Sequence, residues 1–212
     1  MARPQANDYA EKQQLIRDRA AELFAARGFA GSSISDVAAA CGCAKSLIYH
    51  YFDSKEAILS TLFSERWQVM LDAIAQIDSR ADLPAREKLE LVASFIIDSY
   101  RHEPELMKVI IVEVTRAANT FGRQHLPEIR EAYAMIAQIV ERAQADGSFK
   151  PDISGQFAAL CFYGAIEQLL SGWIFGVLPQ TDEEYDRAKG LVVDAICGGL
   201  ERSGEVAAAP SP

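Results

Sequence analysis

The chain has 212 residues, half of them hydrophobic and 24% charged, with a formal net charge of −9. That size and composition support a packed core in one or two domains and exclude a disordered or fibrous chain. The opening "MARPQANDYAEKQQ" is polar where a secretory leader is apolar, and four cysteines in such a chain do not form a disulfide framework; a cytoplasmic protein is expected.

Taken in order, the chain reads as helices. Ile16, Ala20, Leu23 and Phe24 form one apolar stripe on a helix from about Asp8 to Arg27, and Gly28 stops it. Ser33 and Asp36 have capping-box spacing ahead of a short helix ended by Gly42. A second short helix follows over 45–51, and Asp53 to Glu56 repeats the capping spacing before a long helix over 54–78. Pro84, Pro104, Pro127, Pro151 and Pro179 then separate helices expected near 86–101, 104–118, 128–146, 154–177 and 182–202. No stretch alternates long enough to demand a strand, and "EVAAAPSP" reads as a frayed tail over 205–212. The fold class is all-α.

Charge is unevenly distributed. Residues 1–55 carry seven Lys/Arg and six Asp/Glu, a balance of +1, and the remainder carries −10. Phosphate neutralisation supplies much of the affinity for DNA, and the acid lies outside the N-terminal part. A DNA-facing N-terminal unit is therefore compatible with the overall −9.

Two short helices joined by a glycine turn and braced by a preceding helix make a helix-turn-helix, whose second helix enters the major groove. The face expected at base edges holds Lys45, Ser46, Leu47, Tyr49 and His50. Lysine donates to guanine acceptors, and leucine meets a thymine methyl. Tyr51, Lys55 and Ser33 are the candidates for phosphate. Ile34, Val37, Ala38, Ile48 and Phe52 are the expected small core. Cys41 and Cys43, with only His50 nearby, lack the ligand set of a zinc site, so no metal is expected.

The stretch "GFAGSSISDVAAACGCAKSLIYHYFDSKEAIL", residues 28–59, resembles the DNA-binding region of the tetracycline-repressor (TetR) family of bacterial transcription regulators. The pattern rests on Gly28, Ser33-Ile34, Val37-Ala38, Ala40-x-Gly42, Ile48-Tyr49-x-Tyr51-Phe52, Ser54-Lys55-Glu56 and Leu59. The resemblance implies a three-helix DNA-binding domain over 1–55 and a larger helical domain over 56–204 that binds an inducer and forms a homodimer. It departs at Ala44, where family members often have a hydroxyl residue to cap the recognition helix.

Downstream, Trp67, Met70, Phe95, Met107, Phe121, Tyr133, Phe162 and Tyr163 are candidates to line an apolar pocket. Arg116, Arg123 and Arg130, with His125, are candidates for a ligand's phosphates or carboxylate, and Glu167 in an apolar helix needs a partner or a task. The stretch "FYGAIEQLLSGWIFG", residues 162–176, resembles a helix of family members that control fatty-acid or aromatic-acid degradation in response to acyl-CoA. The expected partners are an operator duplex, a small-molecule inducer of the acyl-CoA class and a second copy of the chain. A repressor of an efflux system that senses hydrophobic drugs is the alternative. The apolar run 157–178 contains one charge, Glu167, and no basic anchor, so it is read as a helix buried by protein and not by lipid. No enzyme motif and no cofactor signature occur.

Overall fold

Nine α-helices and one π-helical turn make up the regular structure of the described residues. The computed structural model describes residues 4–115 and 123–201, with side chains over 8–112 and 123–201. Arg116, Phe121 and the tail 205–212 therefore lie outside the described residues. The helices are α1 (Pro4–Arg27), α2 (Ile34–Ala40), α3 (Lys45–Tyr51), α4 (Lys55–Asp78), α5 (Ala85–His102), α6 (Pro104–Val109), α7 (Leu126–Ala145), α8 (Gly155–Ile174) and α9 (Asp182–Leu200). Phe149 and Glu201 form an isolated antiparallel bridge, and no strand occurs among the described residues.

Local chemistry sets most boundaries. Gly28 has φ +77° and donates its N–H to the Phe24 carbonyl at 2.8 Å, the left-handed stop that follows a helix. Ser154 caps α8 by accepting the Phe157 N–H, and Thr181 caps α9 by accepting the Glu184 N–H. Three acids in the first turn of α9 suit its positive end. α1 begins at Pro4, four residues before the sequence expectation, because proline is tolerated in a first turn.

One expected helix takes a different form. Of the segment expected over 104–118, the described residues are α-helical over Pro104–Val109 and π-helical over Ile110–Thr115, and 116–118 lie outside the described residues. The change from α to π falls within the β-branched run Val109, Ile110, Ile111 and Val112, whose stiff side chains favour the α-helix weakly.

The described residues divide into two compact units. The first takes those within Met1–Met70 and Asp98–Ile129, the second those within Leu71–Ile97 and Arg130–Pro212. α4, α5 and α7 each contribute residues to both. In the first unit Ile16, Ala20, Phe24, Ile34, Val37, Ala38, Ile48, Phe52, Ile58 and Leu59 form one buried cluster, completed by Val109 of α6, which packs on α1. In the second, Leu89, Val92, Ile136, Val140, Phe162, Ile166, Trp173 and Val193 are buried, and α8 packs on α9.

Candidate functional site

The turn between α2 and α3 is built from its caps. The Ser33 hydroxyl accepts the Asp36 N–H at 3.2 Å, and the Asp36 carboxylate accepts the Ser33 N–H at 2.9 Å, closing the expected capping box. Gly42 turns the chain at φ +63°, and the Cys43 N–H donates to the Ala38 carbonyl at 3.0 Å. α3 follows with Ala44 as an N-cap that makes no side-chain hydrogen bond, matching the departure read from the sequence. Within α3 only Ile48 is buried, at 0% exposure.

That single anchor leaves the rest of α3 outward. Lys45, Ser46, Leu47, Tyr49 and His50 are all exposed, and Tyr51 is half-buried. Leu47 and Tyr49 are large hydrophobic side chains left in solvent, and the Lys45 ammonium lies 5.6 Å from the Tyr49 ring centroid. A short helix with one buried residue and five exposed donors and apolar groups can read base edges. Tyr9 of α1, absent from the sequence-derived set, stands 4.6 Å from the Tyr51 ring and 6.1 Å from the His50 ring. Only spatial proximity marks it, because no local pattern links position 9 to position 51.

The phosphate candidates are already engaged within the protein. Lys55 donates to the backbone oxygens of Phe29 at 2.9 Å and Ser32 at 3.0 Å, which leaves one of its three N–H groups for a further acceptor. Ser33 is exposed, but its hydroxyl also donates to the Asp36 carboxylate at 2.5 Å, so an anion approaching it meets a negative neighbour. Cys41 and Cys43 pack partly buried against the helix-turn-helix core. Burial, followed by the neighbouring Cys43, pushes the Cys41 thiol up to about 11, away from the reactive range. No group of three metal-ligating side chains occurs among the described residues.

The remaining candidates fall into the two units. In the first, Trp67 is buried, stacks on Phe63 at 4.9 Å and donates its indole N–H to the Glu128 carbonyl at 2.8 Å. Met70 and Met107 are buried there, and Arg123 is exposed. His125 is 5% exposed, 4.4 Å from the Phe63 ring, 3.1 Å from the Ser60 hydroxyl and 3.4 Å from Glu128. An imidazole so enclosed is a core group and not an open phosphate ligand. A cleft of about 440 Å³ in this unit is lined by Asp18, Glu22, Glu65, Arg66, Glu103 and Glu105 among others. Its acidity repels a CoA's phosphates, and none of the sequence-derived ligand residues lines it.

In the second unit the structure brings Tyr133, Tyr163 and Glu167 together. The Tyr133 and Tyr163 rings meet edge to face at 5.3 Å, and Glu167 lies one turn beyond Tyr163 on α8. Burial, with the Glu167 charge second, pushes both phenols up, Tyr163 the more strongly. Phe162 is buried, Phe95 half-buried and Arg130 exposed. Phenol hydroxyls and a carboxylate set among apolar side chains can orient a mostly apolar ligand.

α8 is the one described helix long and apolar enough to cross a membrane by length and composition, and nine of its residues are buried within the protein. The exposed residues of α8 include Phe157, Leu160, Cys161 and Gly164, and those of α9, which packs on α8, include Leu191, Ala195 and Gly198. Gly164 has open space at its missing Cβ, whereas a Cβ on Gly172 would stand 2.7 Å from Leu178, so Gly172 serves the turn after α8. Gly176, at φ +66°, shapes the same turn.

Residues 16–62 match the family described as bacterial regulatory proteins, tetR family, and residues 86–196 match the tetracyclin repressor-like C-terminal domain. The "Fatty acid metabolism regulator protein" of Bacillus subtilis is 30% identical over 192 residues, covering 89% of this chain and 95% of that one. The crystal structure of the FadR regulator from Bacillus subtilis in complex with stearoyl-CoA superimposes with a TM-score of 0.78 at 22% identity, over 89% of this chain and 99% of that one. AibR, solved with isovaleryl coenzyme A and operator DNA, gives 0.70 at 20% identity, over 85% and 96% of the two chains. At those identities the two structures speak for the fold alone. The exposed reading helix, its capped turn, the family matches at both ends and the 30% relative converge: the chain belongs to the tetR family of bacterial regulatory proteins.

Proposed function

We propose that the protein is a cytoplasmic, ligand-responsive transcriptional repressor that binds a palindromic operator as a homodimer and is released by an apolar small molecule, with acyl-CoA thioesters as the leading class. The observation that carries the DNA-binding part is α3, which buries Ile48 alone and turns Lys45, Ser46, Leu47, Tyr49 and His50 outward. Regulators of this family bind DNA as dimers, and the unpartnered apolar faces of α8 and α9 suit a four-helix contact with a second copy. The division into a DNA-binding domain over 1–55 and a ligand-binding and dimerisation domain over 56–204 is part of the reading.

The acyl-CoA assignment is supported by the 30% identical fatty acid metabolism regulator and by the stearoyl-CoA complex of its fold relative. In this reading Tyr133, Tyr163 and Glu167 meet the acyl part, and Arg130, exposed in the same unit, meets the phosphates. The ligand acts by binding the DNA-incompetent arrangement more tightly, since equal affinity for both shifts nothing. α4 is the lever, because it begins at the DNA-binding unit and its last residues, Leu71–Asp78, belong to the other unit. A tenfold loss of operator affinity needs about 1.4 kcal/mol of coupling. The reading contains no catalytic step.

The experiment is selection of bound duplexes from random DNA, followed by anisotropy titration with acyl-CoAs of varied chain length and the matching free acids. Release by acyl-CoA alone supports the assignment. Release by uncharged hydrophobes alone replaces it with the drug-sensing reading, and capture of no duplex at low salt defeats the DNA-binding one.

A further inference from the structure

We infer that Tyr9 is a positioning residue for the recognition helix, a brace from α1 that holds the last turn of α3 in the orientation that reads DNA. The inference rests on the DNA-binding reading of α3. Tyr9 meets the Tyr51 ring at 4.6 Å with a 43° tilt and the His50 ring edge-on at 6.1 Å, and His50 and Tyr51 meet each other at 5.1 Å and 86°. Three rings thus join the N-terminal part of α1 to the C-terminal end of α3.

The need for such a brace follows from α3 itself. A helix of seven residues is not stable alone, so contacts elsewhere must fix its axis. Its N-terminal end is held by the Gly42 turn and the Cys43 to Ala38 hydrogen bond, without a side-chain cap. Its middle is held by Ile48, and its far end by Phe52, which donates its N–H to the Ile48 carbonyl and sits in the core. Tyr51 packs its inner side on the same core, and the aromatic cluster adds the contact that holds the exposed His50 and the outer side of Tyr51 to α1.

Tyr9 is also a poor candidate for a core residue. It is 42% exposed, and the buried stripe of α1 begins two turns later at Ile16. A large ring kept in solvent on a helix whose core lies elsewhere acts through what it touches, and here it touches two residues of the reading face. An aromatic pair adds to the area it buries, so its loss tilts α3 without unfolding the unit.

The test uses the full chain and the duplex selected with it. Tyr9→Ala is expected to lose about fivefold in affinity for that duplex, about 1 kcal/mol. It should keep wild-type affinity for a scrambled duplex and lower the melting midpoint by no more than about 4 °C, because a mis-set reading helix loses specificity while the fold and phosphate attraction persist. Tyr9→Phe should bind like the wild type. The inference falls if Tyr9→Ala discriminates the two duplexes as well as the wild type, or loses affinity equally for both. It falls also if Tyr9→Phe is as weak as Tyr9→Ala with a flatter salt dependence, which marks a hydroxyl on phosphate. A wild type that captures no duplex overturns the DNA-binding reading first, and this inference with it.

Discussion

The Lys55 ammonium donates to the backbone oxygen of Phe29 at 2.9 Å and lies 4.4 Å from the centroid of the same residue's ring. With the second bond to Ser32, it ties the start of α4 to the turn that leads into α2. Lys55→Ala is therefore expected to destabilise the protein by about 2 kcal/mol, the scale of hydrogen bonds to a charged donor with a cation over a ring. Chemical denaturation measures this. The slope of log affinity against log salt should change by less than one contact's worth, because two of three N–H groups are spent internally. An unchanged denaturation midpoint with a flatter salt slope would show that phosphate, and not Phe29, is the working partner.

The capping box at the head of α2 carries a pH signature. Hydrogen bonds from the Ser33 hydroxyl and then the Ser33 N–H hold the Asp36 carboxyl below its ordinary value of 3.8, with Arg27 assisting. A depressed folded value contributes stability that is present above the ordinary pKa and fades as pH falls through the folded one. Part of the wild type's loss of stability in acid should therefore fall below pH 3.8, and Ser33→Ala should flatten the pH dependence there while lowering stability at neutral pH. Melting curves from pH 6 to pH 2 decide it, and identical profiles for both proteins would remove the box from the acid transition.

Dimerisation through α8 and α9 predicts an asymmetry between two substitutions. Leu191 is 60% exposed in the protomer, so Leu191→Asp should leave the fold intact yet cost roughly 3 kcal/mol at a buried interface. Sedimentation velocity should show monomer with a native circular dichroism spectrum. Gly172→Arg should instead lower the melting temperature, because an added Cβ would stand 2.7 Å from the Leu178 side chain and force the turn after α8 to shift. A wild-type dimer in Leu191→Asp would move the interface elsewhere.

Thiol reactivity should follow burial. Cys161 is exposed on α8, while burial pushes Cys41 and Cys197 each up to about 11. The thiolate is the nucleophile, so alkylation near pH 8 should mark Cys41 and Cys197 well after an accessible thiol, and their rates should climb as pH rises toward 11. Cys161 should react first in the monomeric Leu191→Asp variant and more slowly in the dimer, where a second copy covers it. Peptide mass spectrometry over a labelling time course checks this, and early labelling of Cys41 would contradict its burial.

What the amino-acid sequence determined by itself is the set of features that act over a few residues. The Ser33 and Asp36 cap, the stops at Gly28 and Gly42, and α3 over Lys45–Tyr51 follow from hydrogen bonds and backbone angles that neighbours in the chain dictate. Hence the helix-turn-helix, the outward set on α3 and the all-α class are legible in the amino-acid sequence. Partnerships across the fold were not. The bond from Lys55 to Ser32 spans 23 residues, His125 reaches Ser60 over 65, and Trp67 reaches Glu128 over 61. Side chains that look like open phosphate ligands in one dimension became a strut and a core group. Periodicity says which face of a helix is apolar but not which neighbour that face meets; packing decides that, and with it Tyr9 joined the reading helix and Gly172 was given to its own turn.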